Sequence, residues 1–286
     1  SCKNAGIYLS DSGKDWNLLF TGYIKGESLR DVHKYQRINH FPCSYEIGRK
    51  DRLWKNIARM KRKFGIDYNI CPPTYVLPID YRRFTADFKA KENSKAMWII
   101  KPSASSCGKG IKVLNSTSKL PKNKKNHLIS RYISKPHLIN GHKYDMRVYV
   151  LVVSYDPLVV YMYKDGLVRF STEKYSLKQK NLNKQWVHLT NYSINKKADG
   201  YVKNQNKNSD YEGDNETNDD TSKWSYNQLL NKLYNMGLDY EEVDEEIKDV
   251  IIKTIISVEP YIVHQMNAHT RHKNVWFELY GFDVIL

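Results

Sequence analysis

Residues 98–113, Trp-Ile-Ile-Lys-Pro-Ser-Ala-Ser-Ser-Cys-Gly-Lys-Gly-Ile-Lys-Val, limit the fold more than any other stretch of this chain. An apolar run ends on Lys101, a loop of small residues follows, and a β-rich run resumes at Ile111. Serine, alanine and glycine let backbone N–H groups come close to phosphate oxygens, and Lys101 and Lys109 add fixed positive charge. A Walker-type loop needs a helix after it, with Ser or Thr following the lysine. Here Gly110 follows Lys109, and Ile111-Lys-Val-Leu reads as strand. The segment is therefore a strand–loop–strand hairpin able to close over phosphates. Lysine-bearing hairpin loops are also common on protein surfaces, so the rest of the chain has to decide.

The chain has 286 residues, 41% of them hydrophobic and 13% aromatic, which is enough for a substantial core. No apolar run approaches the length of a membrane span, and the opening Ser-Cys-Lys-Asn lacks the apolar centre of a signal peptide. Cys2, Cys43, Cys71 and Cys107 are scattered without a CxxC pair, which suits a reducing cytoplasm and argues against structural zinc. His264, His269 and His272 have no matching cysteines or acids and read as solvated helix-end residues. The formal charge of +15 attracts polyanions: nucleic acid, an acidic lipid surface or an acidic protein tail. The chain has no zinc-finger spacing, RNP-like motif or compact basic recognition helix; the polyanion inference stands with its identity open.

Three regions are expected: an N-terminal domain over 1–48, a central subdomain over 49–130 with the phosphate loop, and a C-terminal subdomain over 131–286. Leu53, Ile57 and Met60 predict a helix over 49–63. A charged stretch over 80–95 leads into the hairpin, and 127–133 reads as a strand leaving it. A meander follows, with strands at 144–153, 158–163 and 167–170, the last two joined by a Lys-Asp-Gly turn. Residues 196–223 are rich in Asn, Asp, Lys and Gly and read as a disordered insertion. Helices are expected at about 224–236 and 240–258, the second with Val243, Ile247, Val250, Ile251 and Ile255 on one core-facing stripe. The missing initiator Met and an end inside an apolar strand are read as marks of a piece cut from a longer protein.

Alternation along 142–150 puts Lys143, Asp145 and Arg147 on one face of a strand and Tyr144, Met146 and Val148 on the other. Two cations flanking a carboxylate can be a solvated face. Arg169 emerges from the neighbouring hairpin, so Arg147 and Arg169 can instead form a guanidinium clamp for phosphate or carboxylate. His188-Leu-Thr-Asn-Tyr-Ser193 clusters hydroxyl and amide groups just beyond. Asp283 stands in an otherwise apolar strand, where a metal ion is a natural partner, and Gly281 two residues earlier leaves room for a ligand.

These stretches resemble the tubulin tyrosine ligase-like family, and most of all its glutamate-adding branch. The matching pieces occur in family order over nearly the whole chain: Asn39-His-Phe-Pro, Arg49-Lys-Asp-Arg-Leu, Trp98–Ile111, Gly141–Val152, Thr172-Glu-Lys-Tyr, His188–Lys196 and Phe277-Glu-Leu-Tyr-Gly-Phe-Asp283. The resemblance implies an α+β ATP-grasp fold and ATP and Mg²⁺ as cofactors. It implies that Lys50 and Lys101 contact ATP phosphates under a loop carrying Ser105, Ser106, Gly108, Lys109 and Gly110. Arg131, Tyr132 and Ile133 would give backbone contacts to adenine, and Lys143 and Asp145 would sit at the nucleotide and ribose. Arg147 and Arg169 would bind the transferred phosphate and incoming amino acid, Thr190 and Asn191 would face the nucleotide, and Asp283 would hold Mg²⁺.

The family chemistry phosphorylates a side-chain carboxylate of the acceptor protein with ATP, and the amine of free glutamate then attacks the acyl phosphate. The implied acceptor is the glutamate-rich tail of tubulin, met by a monomer on cytoplasmic or ciliary microtubules, and the basic surface would attract it. Two departures stand out. The family's next strand, with a Glu and an Asn completing the metal site, lies beyond Leu286, and Cys107 occupies a position often polar or basic. Glycine or tyrosine addition, and a non-catalytic module binding microtubules or other acidic tails, remain alternatives.

Overall fold

A computed structural model describes residues 3–10, 15–22, 29–103, 108, 110–120, 126–202 and 222–286. Helices and two antiparallel sheets share the architecture, as an α+β protein should. The smaller sheet has the order β3-β6-β4-β5, from β3 (Thr74–Val76), β6 (His127–Arg131), β4 (Trp98–Pro102) and β5 (Lys112–Leu114). Its two faces follow from alternation along 96–101. Ala96, Trp98 and Ile100 turn outward onto helix α3 (Tyr81–Lys89), where Phe84, Phe88 and Tyr75 complete an aromatic core. The Phe84 and Trp98 rings meet edge to face at 5.5 Å. Met97, Ile99 and Val113 turn inward onto Tyr132, Leu182 and Leu189. Lys101 shares this inner parity, which aims it at the second sheet.

The larger sheet runs β10-β9-β8-β11, from β10 (Lys223–Ser225), β9 (Leu158–Phe170), β8 (His142–Tyr155) and β11 (Glu278–Val284), while β7 (Leu138–Ile139) pairs with the start of β8. Tyr144, Met146, Val148, Val150 and Val152 fill its underside. Helices α6 (Tyr226–Asn235) and α7 (Tyr240–His269) bury Leu229, Leu233, Ile247, Ile251, Ile255 and Ile262 against them. The short strands β1 (Leu18–Leu19) and β2 (Arg37–Ile38) pair in parallel, and Ile38 and Phe41 enter this same core. Helix α1 (Tyr45–Gly48) and helix α2 (Lys50–Phe64) follow, α2 packing on α7 and ending at Gly65 with Lys61, Arg62 and Lys63 in its last turn.

Three expectations need correction. The Lys164-Asp165-Gly166 turn does not exist, because β9 runs unbroken through it. Asp165 Oδ1 instead accepts the N–H of Tyr226 at 2.8 Å, holding the start of α6. Gly166 marks a close approach: a Cβ there would lie 2.5 Å from the Arg147 carbonyl oxygen, beside the register shift between Val148 and Val150. The second helix does not stop near 258. It passes through Pro260 to His269, since burial of Ile262 and Met266 outweighs the hydrogen bond that proline removes. Finally, the expected insertion lies mostly outside the described residues, over 203–221, but its end is ordered. Lys223 belongs to β10, just before a capping box between Ser225 and Gln228.

Candidate active site

Register brings the charged residues together. Arg169 lies opposite Asp145 on one side and Lys223 on the other, and Asp283 lies opposite Arg147. Because cross-strand partners share a face, β10, β9, β8 and β11 all present charge on the side away from the α6/α7 core. Arg147 grips Asp283 with two hydrogen bonds, Nε to Oδ1 at 2.6 Å and Nη2 to Oδ2 at 3.0 Å. Arg169 donates to both oxygens of Asp145, with Nε to Oδ1 at 2.8 Å, and also reaches Asp283 Oδ1 at 2.8 Å. Asp145 is 7% exposed, a buried carboxylate that Arg169 closes off. Asp283, with 47% of its side chain exposed, faces the cleft.

The lysines arrive from both sheets. Burial, Lys50 and only partial relief from Asp283 pull the Lys101 ammonium below the ordinary lysine range. Lys143, 4% exposed, is pushed down to about 8 by burial and by Lys101, against the pull of Asp145. Lys101 thus lies within electrostatic reach of Lys50, Lys143 and Asp283, and Lys143 within reach of Asp145. Cations crowded into a low-dielectric space repel each other and favour an anion of several charges.

A relay holds Lys143. Its Nζ donates to the Tyr132 hydroxyl at 3.3 Å, and that hydroxyl lies 3.0 Å from His188 Nδ1. His188 Nε2 lies 3.2 Å from the Asn181 carbonyl, which can only accept, so the ring carries its proton on Nε2 and Nδ1 accepts from Tyr132. Burial keeps His188 below the usual imidazole range, consistent with a neutral ring.

The remaining candidates frame this cluster. Thr190 is buried, and Asn191 opens the short helix α5 (Tyr192–Asn195) after α4 (Gln185–His188). Gly108 rests on that opening, where a Cβ would lie 2.9 Å from Asn191 Oδ1 and would collide with Ile194 Cδ1. Gly110 packs on Pro102. Ser105, Ser106 and Lys109, like Cys107, lie outside the described residues. Arg131 turns its side chain outward, over the Trp98 ring and onto Asn93 Oδ1 at 2.7 Å. The N–H groups of Arg131 and Tyr132 already bond Pro73 and Met97, both at 2.8 Å. Those two N–H groups are therefore committed within the sheet and not open to a ligand. A cavity of about 350 Å³ flanks the cluster, lined in part by Gly110, Ile111, Val113, His188 and Leu189.

Gly281 does not leave room for a ligand directly. A Cβ there would lie 2.9 Å from Arg147 Cδ, so the space belongs to Arg147. Lys223, whose Nζ sits 3.9 Å from the centre of the Tyr192 ring, was not legible in the sequence, because it falls within the stretch expected to be a disordered insertion. The Ser225-x-x-Gln228 capping signature was the available signal that order resumes there. Among the described residues no group of three His, Cys, Asp or Glu could cage a metal. Asp283 fits Mg²⁺ in the way that ion usually binds with nucleotides, through one or two carboxylates and the phosphates themselves.

Comparison with known proteins places the chain in a family. The chain is 40% identical over 279 residues to the tubulin monoglutamylase TTLL4 of Mus musculus, covering 97% of this chain and 22% of that protein. It is 43% identical over 277 residues to the tubulin polyglutamylase TTLL5 of Mus musculus, covering 96% and 20%. It is 37% identical over 278 residues to a probable beta-tubulin polyglutamylase of Tetrahymena thermophila, covering 95% and 22%. The chain thus spans about a fifth of the length of these relatives. Residues 28–286 match the tubulin-tyrosine ligase family over nearly the whole chain, and this protein belongs to that family.

Proposed function

We propose that this chain is the catalytic ATP-grasp segment of an ATP-dependent ligase that adds glutamate to side-chain carboxylates of glutamates in tubulin tails. The observation that carries the reading is the meeting of Arg147 and Arg169 on Asp283, with Lys101 within electrostatic reach of Asp283, Lys50 and Lys143. The names of the relatives, all glutamylases, favour glutamate over glycine or tyrosine. The nucleotide sits between the two sheets, with its phosphates on Lys50, Lys101 and Lys143 and under the loop that includes Gly108 and Gly110. Thr190 and Asn191 face it, and Asp145 reaches it only through Arg169, which it orients.

ATP gives its terminal phosphoryl group to the acceptor carboxylate, and ADP leaves. The amine of glutamate attacks the acyl phosphate, an isopeptide bond forms, and inorganic phosphate departs. Fixed cations supply the help, because negative charge gathers on the transferred oxygens. Mg²⁺, held in part by Asp283, adds charge neutralisation at the phosphates when bound. Arg147 suits the transferred phosphoryl group or the carboxylate of the incoming amino acid, and Lys223 stands beside Arg169 on the same face. No serine or cysteine nucleophile is needed. The working place is the cytoplasmic microtubule.

Arg147→Ala or Lys101→Ala in the full-length protein should abolish incorporation of labelled glutamate into tubulin while circular dichroism stays native. Normal incorporation by either variant would refute the assignment. Preferential incorporation of glycine or tyrosine would redirect it within the family.

A further inference from the structure

Both oxygens of Asp283 are engaged by arginines, and the two arginines are not equivalent. Arg169 is fixed from below by buried Asp145, which takes its Nε and shares its Nη2. Arg147 has no such anchor among the described residues: there the two hydrogen bonds of its guanidinium both end on Asp283. A guanidinium fork holding a carboxylate side by side has the geometry it would use for a substrate carboxylate or phosphoryl group. Asp283 therefore occupies the seat that Arg147 would offer to an anion. A carboxylate with both oxygens in charge-assisted hydrogen bonds is also a poor ligand for a cation until it is let go.

Gly281 makes this pairing possible. It lies in β11 with an ordinary extended backbone, so alanine could adopt its conformation. A methyl group there would lie 2.9 Å from Arg147 Cδ and 3.3 Å from Nη1, pushing the side chain off the path to Asp283.

We propose that Asp283 is an internal substitute for the anion that Arg147 binds, and that magnesium carried by a nucleotide draws it away. Gly281 is then a positioning residue, because it lets Arg147 lie across β11. The proposal rests on the ligase reading above and deepens it by giving an order of binding. Metal-nucleotide enters first, Asp283 turns to the metal, and only then is Arg147 open to an incoming anion. Charge stays balanced, since the polyphosphate replaces Asp283 beside Arg169 and the incoming anion replaces it on Arg147. A free amino acid is thereby kept from occupying the site before there is an activated acceptor to attack.

The test combines NMR of the arginine Nε–H groups with calorimetric titration of L-glutamate, using the protein with and without Mg²⁺ and the non-hydrolysable nucleotide AMP-PNP. The Arg147 Nε–H signal should shift and lose its exchange protection with Mg²⁺ and AMP-PNP together, but not with AMP-PNP and EDTA. Glutamate should bind the wild type ~10-fold more weakly without metal-nucleotide than with it, the scale of losing a charge-assisted hydrogen bond. Gly281→Ala and Asp283→Asn should both show the released Arg147 signal and the tighter glutamate binding with no nucleotide present. Gly281→Ala alters neither partner, so it keeps the test valid if Asp283→Asn folds poorly. An Arg147 signal unmoved by metal-nucleotide, or equal glutamate affinity in both states, overturns the proposal. If Arg147 responds to the metal but glutamate binds in no state, the latch stands and the glutamate reading falls.

Discussion

Lys143 shows how the candidate site trades stability for charge. Its ammonium, buried and next to Lys101, is pushed down to about 8 from 10.5 in the unfolded chain. The folded state therefore gives up this proton before the unfolded state does, and the penalty, roughly 3 kcal/mol, is present below pH 8 and fades as pH rises towards 10.5. Lys143→Met should raise the melting temperature of the ligand-free protein at pH 7 and weaken nucleotide binding at least ~10-fold. Binding by the wild type should move the other way with pH, weakening as pH rises through about 8, because phosphate needs the protonated amine. Calorimetry from pH 7 to 9 checks both signs. Arg169 carries a different risk, since Arg169→Ala strands Asp145 in a buried place and should lower stability by about 3–5 kcal/mol. Arg169→Lys keeps a charge there, so lost activity with near-native urea unfolding would separate its chemical role from its structural one. These residues were legible because a two-residue period places Lys143, Asp145 and Arg147 on one face, and Asp283 breaks an apolar run. The mutual grip of Arg147 and Asp283 was not legible, because it depends on the register of strands far apart in sequence.

Elements were readable where a single period persisted and misread where tertiary contacts decided. The α2 helix and the apolar stripe of α7 follow from their spacing, whereas the length of α7 depends on what Ile262 and Met266 meet beyond Pro260. Lys-Asp-Gly in β9 has the composition of a turn, yet Asp165 serves α6 and Gly166 serves the contact with β8. Gly166→Ala should consequently destabilise the protein by about 1–3 kcal/mol in urea unfolding, because the obstacle is the Arg147 carbonyl, which cannot step aside like a side chain. It should also reduce glutamate incorporation by moving the backbone that carries Arg147. Strand β11 is fastened from the other end. Glu278 takes His40 Nδ1 at 2.8 Å, the Phe41 N–H at 3.0 Å and the Tyr280 hydroxyl at 3.0 Å. This explains in physical terms why Asn39-His-Phe-Pro and Phe277-Glu-Leu-Tyr matter together: the N-terminal segment clamps the strand that presents Asp283.

At the scale of the molecule, a formal charge of +15 is spread along the sequence and not gathered into one basic run. Such a field accelerates and strengthens encounters with an acidic tail and is screened by salt. Binding of a glutamate-rich tubulin tail peptide should weaken by at least ~10-fold between 50 and 200 mM salt, as measured by fluorescence anisotropy, whereas binding governed by apolar contact would hardly change. For the proposed chemistry, the two sheets must meet at one polyphosphate. A structure of the protein with Mg²⁺ and AMP-PNP tests that most directly. It should show phosphate oxygens within ~3 Å of the Lys101 and Lys143 ammonium groups and the metal on Asp283. A nucleotide bound with its phosphates elsewhere, leaving Lys101, Lys143 and Asp283 untouched, would contradict it.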